Sequence, residues 1–185
     1  MNKIDEAFQN INRAGFLPET VKDSVDTDAP LPIGYGQTNS QPTTVRWMLE
    51  WLDPHPGEKI LDVGSGSGWM SALLAFLVGP TGMVYAVEKV PELVQFGADN
   101  CRKSDIQNVH FFVARATVGL TEFAPYNRIL VSAAANELPK ELLAQLKIGG
   151  RLVIPIKQSI HVINKLNDDE FEGIDHPGFM FVPLT

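Results

Sequence analysis

The sequence predicts an α/β fold: a mostly parallel, twisted sheet with helices on both faces and an antiparallel edge at its C-terminal end. Three observations carry that expectation. From residue 59 onward, short apolar runs of strand length alternate with helical patterns. A glycine-rich turn, Gly64-Ser-Gly-Ser-Gly68, stands between the first of these runs and the helix that follows it. Past residue 156 the helical patterns stop, and two apolar runs flank a polar turn, as strands joined directly to one another would.

The elements follow in order. The first 36 residues hold one weak amphipathic stretch, 4–14, and then a run rich in Pro, Gly and Asp over 18–36, so this part reads as a cover laid over something else. Pro42 opens a helix in which Val45, Met48, Leu49 and Leu52 recur at i, i+3, i+4 and i+7; Pro54, Pro56 and Gly57 stop it. Trp47 and Trp51, four apart, are expected to pack one edge of that helix on the core. Strands are expected at 59–63, 83–88, 109–113, 128–132 and 151–156, each a short apolar run. Between them lie helical patterns at 69–78, at 91–102 with Pro91 in its first turn, and at 139–146, closed by Gly149 and Gly150. The edge strands are expected at 160–166 and 179–183, around an acidic turn at 167–170.

Composition narrows the function classes. With 185 residues, 44% of them hydrophobic and 20% charged, the chain has the make-up of one globular core. A domain of this size buries roughly 70% of its unfolded surface and needs no staple. Cys101 has no partner for a disulfide, and His55, His110, His161 and His176 are scattered singly without zinc spacing, so no metal is expected. Fifteen basic against 22 acidic residues give a net charge of −7, which disfavours a broad electrostatic hold on nucleic acid or on anionic membrane. Charged residues interrupt the first 15 positions, and the greasiest stretch, around 73–78, is far shorter than the roughly 18 residues of a membrane span. The expectation is a cytoplasmic monomer without nucleic-acid or membrane partners.

The glycine turn points to a ligand. A strand, a glycine turn and a helix bring backbone close to a nucleotide because no Cβ stands in the way. Gly64, Gly66 and Gly68 occupy the first, third and fifth positions, whereas the dinucleotide fingerprint needs a glycine at the sixth, which is Trp69. A phosphate loop fails too, for want of Gly-Lys-Ser/Thr. An acid two residues before G-x-G-x-G, here Asp62, resembles the first motif of S-adenosylmethionine-dependent methyltransferases. Glu88 ends the next strand, twenty residues after Gly68, where such sheets present a carboxylate to ribose hydroxyls. An adenosine-containing ligand without a pyrophosphate is expected.

The whole chain resembles the protein-L-isoaspartate O-methyltransferase family. The residues that carry the likeness are Pro30-Leu-Pro-Ile-Gly-Tyr-Gly-Gln-Thr38 with Ser40-Gln-Pro42, Leu61-Asp-Val-Gly-Ser-Gly-Ser-Gly68, Pro91-Glu-Leu-Val94, Ala133-Ala-Ala135, Gly149-Gly-Arg-Leu-Val-Ile-Pro155 and Phe181-Val-Pro-Leu-Thr185. The resemblance implies a Rossmann-like methyltransferase fold in one domain, with 1–57 as a helical and lid segment and 58–185 as the cofactor-binding core. It implies a repair enzyme that uses S-adenosylmethionine to methylate the free α-carboxylate of isoaspartyl residues in damaged proteins or peptides, leaving S-adenosylhomocysteine. Ser40 is then the catalytic candidate; the residue type also suits a helix cap before Pro42. Cofactor-binding candidates are Thr38, Asp62, Gly64, Ser65, Gly66, Gly68, Glu88, Lys89, Arg115 and Ala116. Candidates for the lid and substrate wall, within a lid over 28–40, are Ile33, Gly34, Gln37, Asn39 and Pro42, with Thr185 at the other end of the chain. No base is expected, since a carboxylate with a pKa of about 3.5 is already ionised at neutral pH.

Four positions depart from the family pattern. After the strand ending at Val113, an Asp is expected to accept a hydrogen bond from the adenine amine, but Arg115 has donors only; losing such a bond costs on the order of 1 kcal/mol. Tyr126-Asn127-Arg128 replaces Tyr-Asp-Arg, Asn39 replaces an apolar residue before the serine, and the chain stops at Thr185 where relatives continue, so part of the usual wall is expected to be missing. Two further function classes stay open: a methyltransferase of the same fold with another acceptor, and a non-catalytic descendant that binds damaged protein.

Overall fold

The computed structural model describes residues 2–184. Helix α1 (Lys3–Asn10) leads to a hairpin of β1 (Leu31–Gly34) and β2 (Gln37–Asn39), then to α2 (Pro42–Leu52). The alternating part is β3 (Lys59–Val63), α3 (Trp69–Val78), β4 (Met83–Glu88), α4 (Pro91–Lys103), β5 (Val109–Val113), β6 (Tyr126–Val131), α5 (Lys140–Gln145) and β7 (Leu146–Ile156). It closes with β8 (Ser159–Lys165) and β9 (Phe171–Pro177). The seven large-sheet strands stand in the order β5-β4-β3-β6-β7-β8-β9. Pairings from β5 through β7 are parallel, and β8 and β9 add antiparallel.

Helices cover both faces of the parallel part, so its strands are apolar on both sides. In β3, Ile60 belongs to the core shared with α1, α2 and α3, while Leu61 and Val63 belong to the core on the opposite face with Val87, Ile129 and Leu152. Period two then puts Asp62 on the α3 side. The strand order reverses between β3 and β6, and the crevice outside the carboxyl ends of such a pair is where open α/β sheets bind ligands.

Three boundaries differ from the sequence expectation. The amphipathic stretch 4–14 is helical only over Lys3–Asn10, where Asn2 and Asp5 form a reciprocal capping box; a separate 3-10 turn, Arg13–Phe16, follows. Helix α5 ends at Gln145, and Gly149 and Gly150 lie inside β7 instead of closing the helix. A Cβ on Gly150 would stand 2.8 Å from Lys147 O and 2.9 Å from Asn127 O, so this glycine serves the irregular join of β6 and β7. The last edge strand is Phe171–Pro177 and not 179–183. Residues 182–184 run alongside 134 instead, with Ala134 N–H donating to Val182 O and Leu184 N–H to Ala134 O, both at 2.8 Å.

Trp47 and Trp51 pack on this late segment. Trp51 stacks on His176 with centroids 3.9 Å apart, and Phe179 meets both indoles edge-on. No helix of the described residues is long and apolar enough to cross a membrane.

Candidate active site

The glycine turn hugs the end of β3. Gly64, Gly66 and Gly68 have φ of +81°, +50° and +85°, a region that L side chains rarely adopt. The turn is also wedged: a Cβ on Gly66 would stand 3.1 Å from Ile33 Cδ1, and one on Gly68 3.0 Å from Gly97 O in α4. Ile33, expected in the lid wall, thus packs on the turn itself. Within the turn, Ser65 Oγ is buried and has no hydrogen-bond partner among the described residues, and Ser65 lines a cleft between the turn and the β1–β2 hairpin.

Two carboxylates meet this turn differently. Glu88, at the end of β4, accepts the Gly66 N–H through Oε2 and the Val90 N–H through Oε1, both at 3.0 Å. Each oxygen keeps accepting capacity beyond these bonds, and Glu88 lines the cleft. Asp62 is instead 0% exposed beneath the turn and lines none of the clefts described here. Its Oδ2 accepts the Ser71 hydroxyl at 2.6 Å, and its Oδ1 has no partner among the described residues. Burial, and secondarily the nearby Glu88 charge, push the Asp62 carboxyl up to about 7, against the Ser71 hydrogen bond. Asp62 thus lies below the turn, whereas Glu88 reaches the cleft wall. The desolvated Asp62 charge also helps to raise the thiol of Cys101, after that thiol's own burial, to about 12.

The hairpin β1–β2 occupies the segment 28–40 expected to be a lid, and its residues 37–40 line the cleft. Gly34, Tyr35 and Gly36 make its tip with positive φ, away from the clefts. Ser40 does not cap α2. Gln41 holds the N-cap position without a side-chain bond, and Asp28 caps the helix from across the lid, accepting the Thr43 N–H at 2.9 Å and the Thr43 hydroxyl at 2.8 Å. These bonds hold the Asp28 carboxyl below its ordinary pKa. Pro42 fills the first helical turn, and the Ser40 hydroxyl is left with no partner among the described residues.

Arg13 is buried behind the lid. Its guanidinium donates to the carbonyls of Val25 (3.2 Å), Thr27 (3.0 Å), Ala29 (2.8 Å) and Ser40 (3.0 Å), and to Asn39 Oδ1 (2.8 Å). It also lies 5.4 Å over the ring of Trp69. No described carboxylate forms an ion pair with the guanidinium; carbonyl dipoles carry its charge, with Asp28 acting on it at longer range. Arg13 carries no signal in the sequence, because a lone Arg between a helix and a loop has no pattern.

Two clefts share a wall. Gln37, Thr38, Ser40, Gly64, Ser65, Gly66, Glu88, Ser132, Ala133 and Val182 line the first, which runs on past Lys89 and Ala114 to Arg115 and Ala116. The second is lined by Thr38, Ser40, Gln41, Ser132, Ala134, Lys157, Gln158, Phe181 and Val182. Thr38, Ser40, Ser132 and Val182 belong to both. Lys157, in a left-handed conformation with φ of +54°, is the charged residue among those lining the second cleft. Ser132 and Lys157 carry no motif signal in the sequence, and Ala133 and Val182 stand there only within segments of the family likeness, without a site role. Ser132 and Ala133 follow β6 on the far side of the switch point, and that rule was the signal available for them.

A family model described as Protein-L-isoaspartate(D-aspartate) O-methyltransferase (PCMT) matches residues 1–185. The chain belongs to this family. The protein-L-isoaspartate O-methyltransferase of Methanopyrus kandleri is 44% identical over 188 residues, 99% of this chain and 83% of that one. That of Aeropyrum pernix is 46% identical over 187 residues, 98% and 72% of the two chains. A solved structure named protein-L-isoaspartate O-methyltransferase superposes with a TM-score of 0.92 at 28% identity; it takes in all of this chain, which spans 62% of its length. A Plasmodium falciparum structure in complex with S-adenosyl-L-homocysteine shares the fold, with a TM-score of 0.85 at 24% identity over 100% and 91% of the two chains.

The departures from the PCMT pattern have structural counterparts. Asn127 Oδ1 accepts the Lys59 N–H at 3.0 Å, a task an Asp oxygen performs equally, so the lost charge leaves the β3–β6 tie intact. Arg115 is exposed at the cleft mouth, 3.3 Å from Glu122 Oε2. Asn39 is drawn inward to Arg13 and Ser67. Thr185 lies outside the described residues, but Val182 and Leu184 before it wall the clefts. Among the described residues, no group of three or more His, Cys, Asp or Glu is placed to hold a metal ion.

Proposed function

We propose that the chain transfers a methyl group from S-adenosylmethionine to the free α-carboxylate of L-isoaspartyl residues in damaged proteins and peptides. One observation carries this reading: Ser40, its hydroxyl uncommitted, stands in the wall between the glycine-turn cleft and the Lys157 cleft. The residues of the first cleft fit the cofactor. Positive-φ glycines leave the backbone bare, the buried Ser65 hydroxyl lacks a partner, and the Glu88 lone pairs suit the two hydroxyls of a ribose. Gly64, Ser65, Gly66 and Glu88 would hold it, with Thr38 and Gln37 from the lid and Lys89, Arg115 and Ala116 toward the adenine end.

When bound, S-adenosylmethionine supplies an electrophilic methyl group on a sulfonium sulfur. The chain's own task is placement. The acceptor carboxylate is ionised at neutral pH, so no residue need remove a proton. The Ser40 hydroxyl donates a hydrogen bond to that carboxylate and orients one oxygen toward the first cleft. The Lys157 ammonium draws the anion into the second cleft, against the net negative charge of the molecule. Ala133 and Val182 close the junction with apolar surface and exclude water.

The test is release of S-adenosylhomocysteine from S-adenosylmethionine and a short isoaspartyl peptide, with the aspartyl twin as control. Turnover on the isoaspartyl peptide alone is expected. Tight S-adenosylhomocysteine binding without turnover on either peptide would point to another acceptor, and no cofactor binding at millimolar concentration to a non-catalytic protein.

A further inference from the structure

The lid and the glycine turn come from distant parts of the chain, and a relay of three buried polar side chains joins them. Arg13 Nε donates to Asn39 Oδ1 at 2.8 Å, and Asn39 Nδ2 donates to Ser67 Oγ at 3.0 Å. Arg13 also donates to Ser40 O at 3.0 Å. All three side chains are buried. Chemistry settles the orientation of the amide. A guanidinium has donors only, so Oδ1 must face Arg13, and the NH2 group is left for Ser67. Asn39 directly precedes Ser40, and Ser67 lies within the turn that lines the first cleft. With water excluded, letting go at either end leaves a buried donor unsatisfied, so the lid strand and the turn move together.

We propose that Asn39 is a positioning residue that couples the two halves of the site. Through the Arg13–Asn39–Ser67 relay, a nucleoside that orders the glycine turn fixes the strand presenting Ser40, and an acceptor held at Ser40 tightens the turn on the nucleoside. This rests on the function proposed above. It differs from a packing role in which Asn39 only satisfies Arg13, because coupling is reciprocal and measurable as a free energy between the two ligands.

Calorimetry of the whole chain reads this without turnover. The Kd of an isoaspartyl peptide is measured with and without saturating S-adenosylhomocysteine, and the reciprocal pair for S-adenosylhomocysteine with and without peptide. In the wild type each ligand tightens the other by one common factor. Ser67→Ala keeps Arg13 latched on Asn39 and removes only the far link; the factor should fall roughly three- to ten-fold, as for one net hydrogen bond. Asn39→Asp should retain it, since the carboxylate still accepts from Arg13 and the Ser67 hydroxyl can turn to donate. Asn39→Asp combined with Ser67→Ala should behave as Ser67→Ala alone. A factor of one in the wild type, or an unchanged factor in Ser67→Ala, overturns the coupling and leaves the functional reading standing. Failure of both ligands to bind the wild type overturns that reading and the coupling with it.

Discussion

Ser71 donates its hydroxyl to Asp62 Oδ2 at 2.6 Å, directly beneath the glycine turn, while Asp62 Oδ1 has no donor among the described residues. One oxygen of a fully buried carboxyl is thus satisfied and the other is not. That arrangement favours the protonated form, whose proton removes most of the cost of burial.

A pH dependence of stability follows. The Asp62 pKa rises from 3.8 in the unfolded chain to about 7 in the fold, so the native state holds the extra proton between those values. Its contribution is complete below about pH 4 and is lost as pH rises toward 7. Asp62→Asn removes this titration. Urea denaturation should show the variant gaining on wild type by on the order of a few kcal/mol between pH 4 and pH 7.5. Parallel curves for the two proteins would refute the buried-carboxyl account.

Ser40→Ala should leave S-adenosylhomocysteine affinity near wild type and lower kcat on isoaspartyl peptide. A hydrogen bond to a charged group contributes about 1.5–3 kcal/mol, so the loss should be roughly ten- to a hundred-fold. Turnover equal to wild type would remove Ser40 from the reaction.

For Glu88→Gln the effect should fall on the cofactor. The amide can accept only through one atom, yet two backbone N–H groups, of Gly66 and Val90, now point at the carboxylate. S-adenosylhomocysteine binding should weaken by at least about ten-fold, with the circular dichroism spectrum unchanged. Undiminished affinity would place the ribose elsewhere.

Gly97→Ala sets two effects against each other. Alanine in a helix interior is favoured over glycine by about 1 kcal/mol. Here, however, the new Cβ would stand 2.8 Å from Phe111 Cε1 and 3.2 Å from Gly66 O. Overpacking of that kind costs roughly 1–3 kcal/mol, so it should win. Thermal unfolding should move down, and S-adenosylhomocysteine affinity should fall because the turn is pushed off α4. A more stable variant with unchanged affinity would mean that the turn yields freely.

Much of the fold was legible because local chemistry and global architecture agree. Strands β3 and β4 and helix α3 lie at the residues their apolar patterns indicate, since strands covered on both faces must be apolar throughout, and the edge strand β5 also falls where its apolar run does. The G-x-G-x-G spacing and the position of Glu88 likewise located the first cleft from sequence alone. Where the expectation missed, a non-local partner had intervened. Asp28 caps the helix that Ser40 suits by residue type, and the 182–184 segment pairs with 134 and not with the sheet edge. The motif shows that an acid stands at position 62, and only the two-residue period of β3 shows that its side chain lies on the α3 side.

The sequence by itself determined the sheet, the glycine turn and the family, because those depend on periodicity and on residue types whose backbone freedom is intrinsic. Only the tertiary structure decided that Ser40 stands free between two clefts, that Ser132 and Val182 complete the wall, and that Arg13 and Asn39 bind the lid to the turn. Those contacts join residues 13, 39, 67, 132 and 182, and no local pattern encodes a hydrogen bond whose two ends are far apart along the chain.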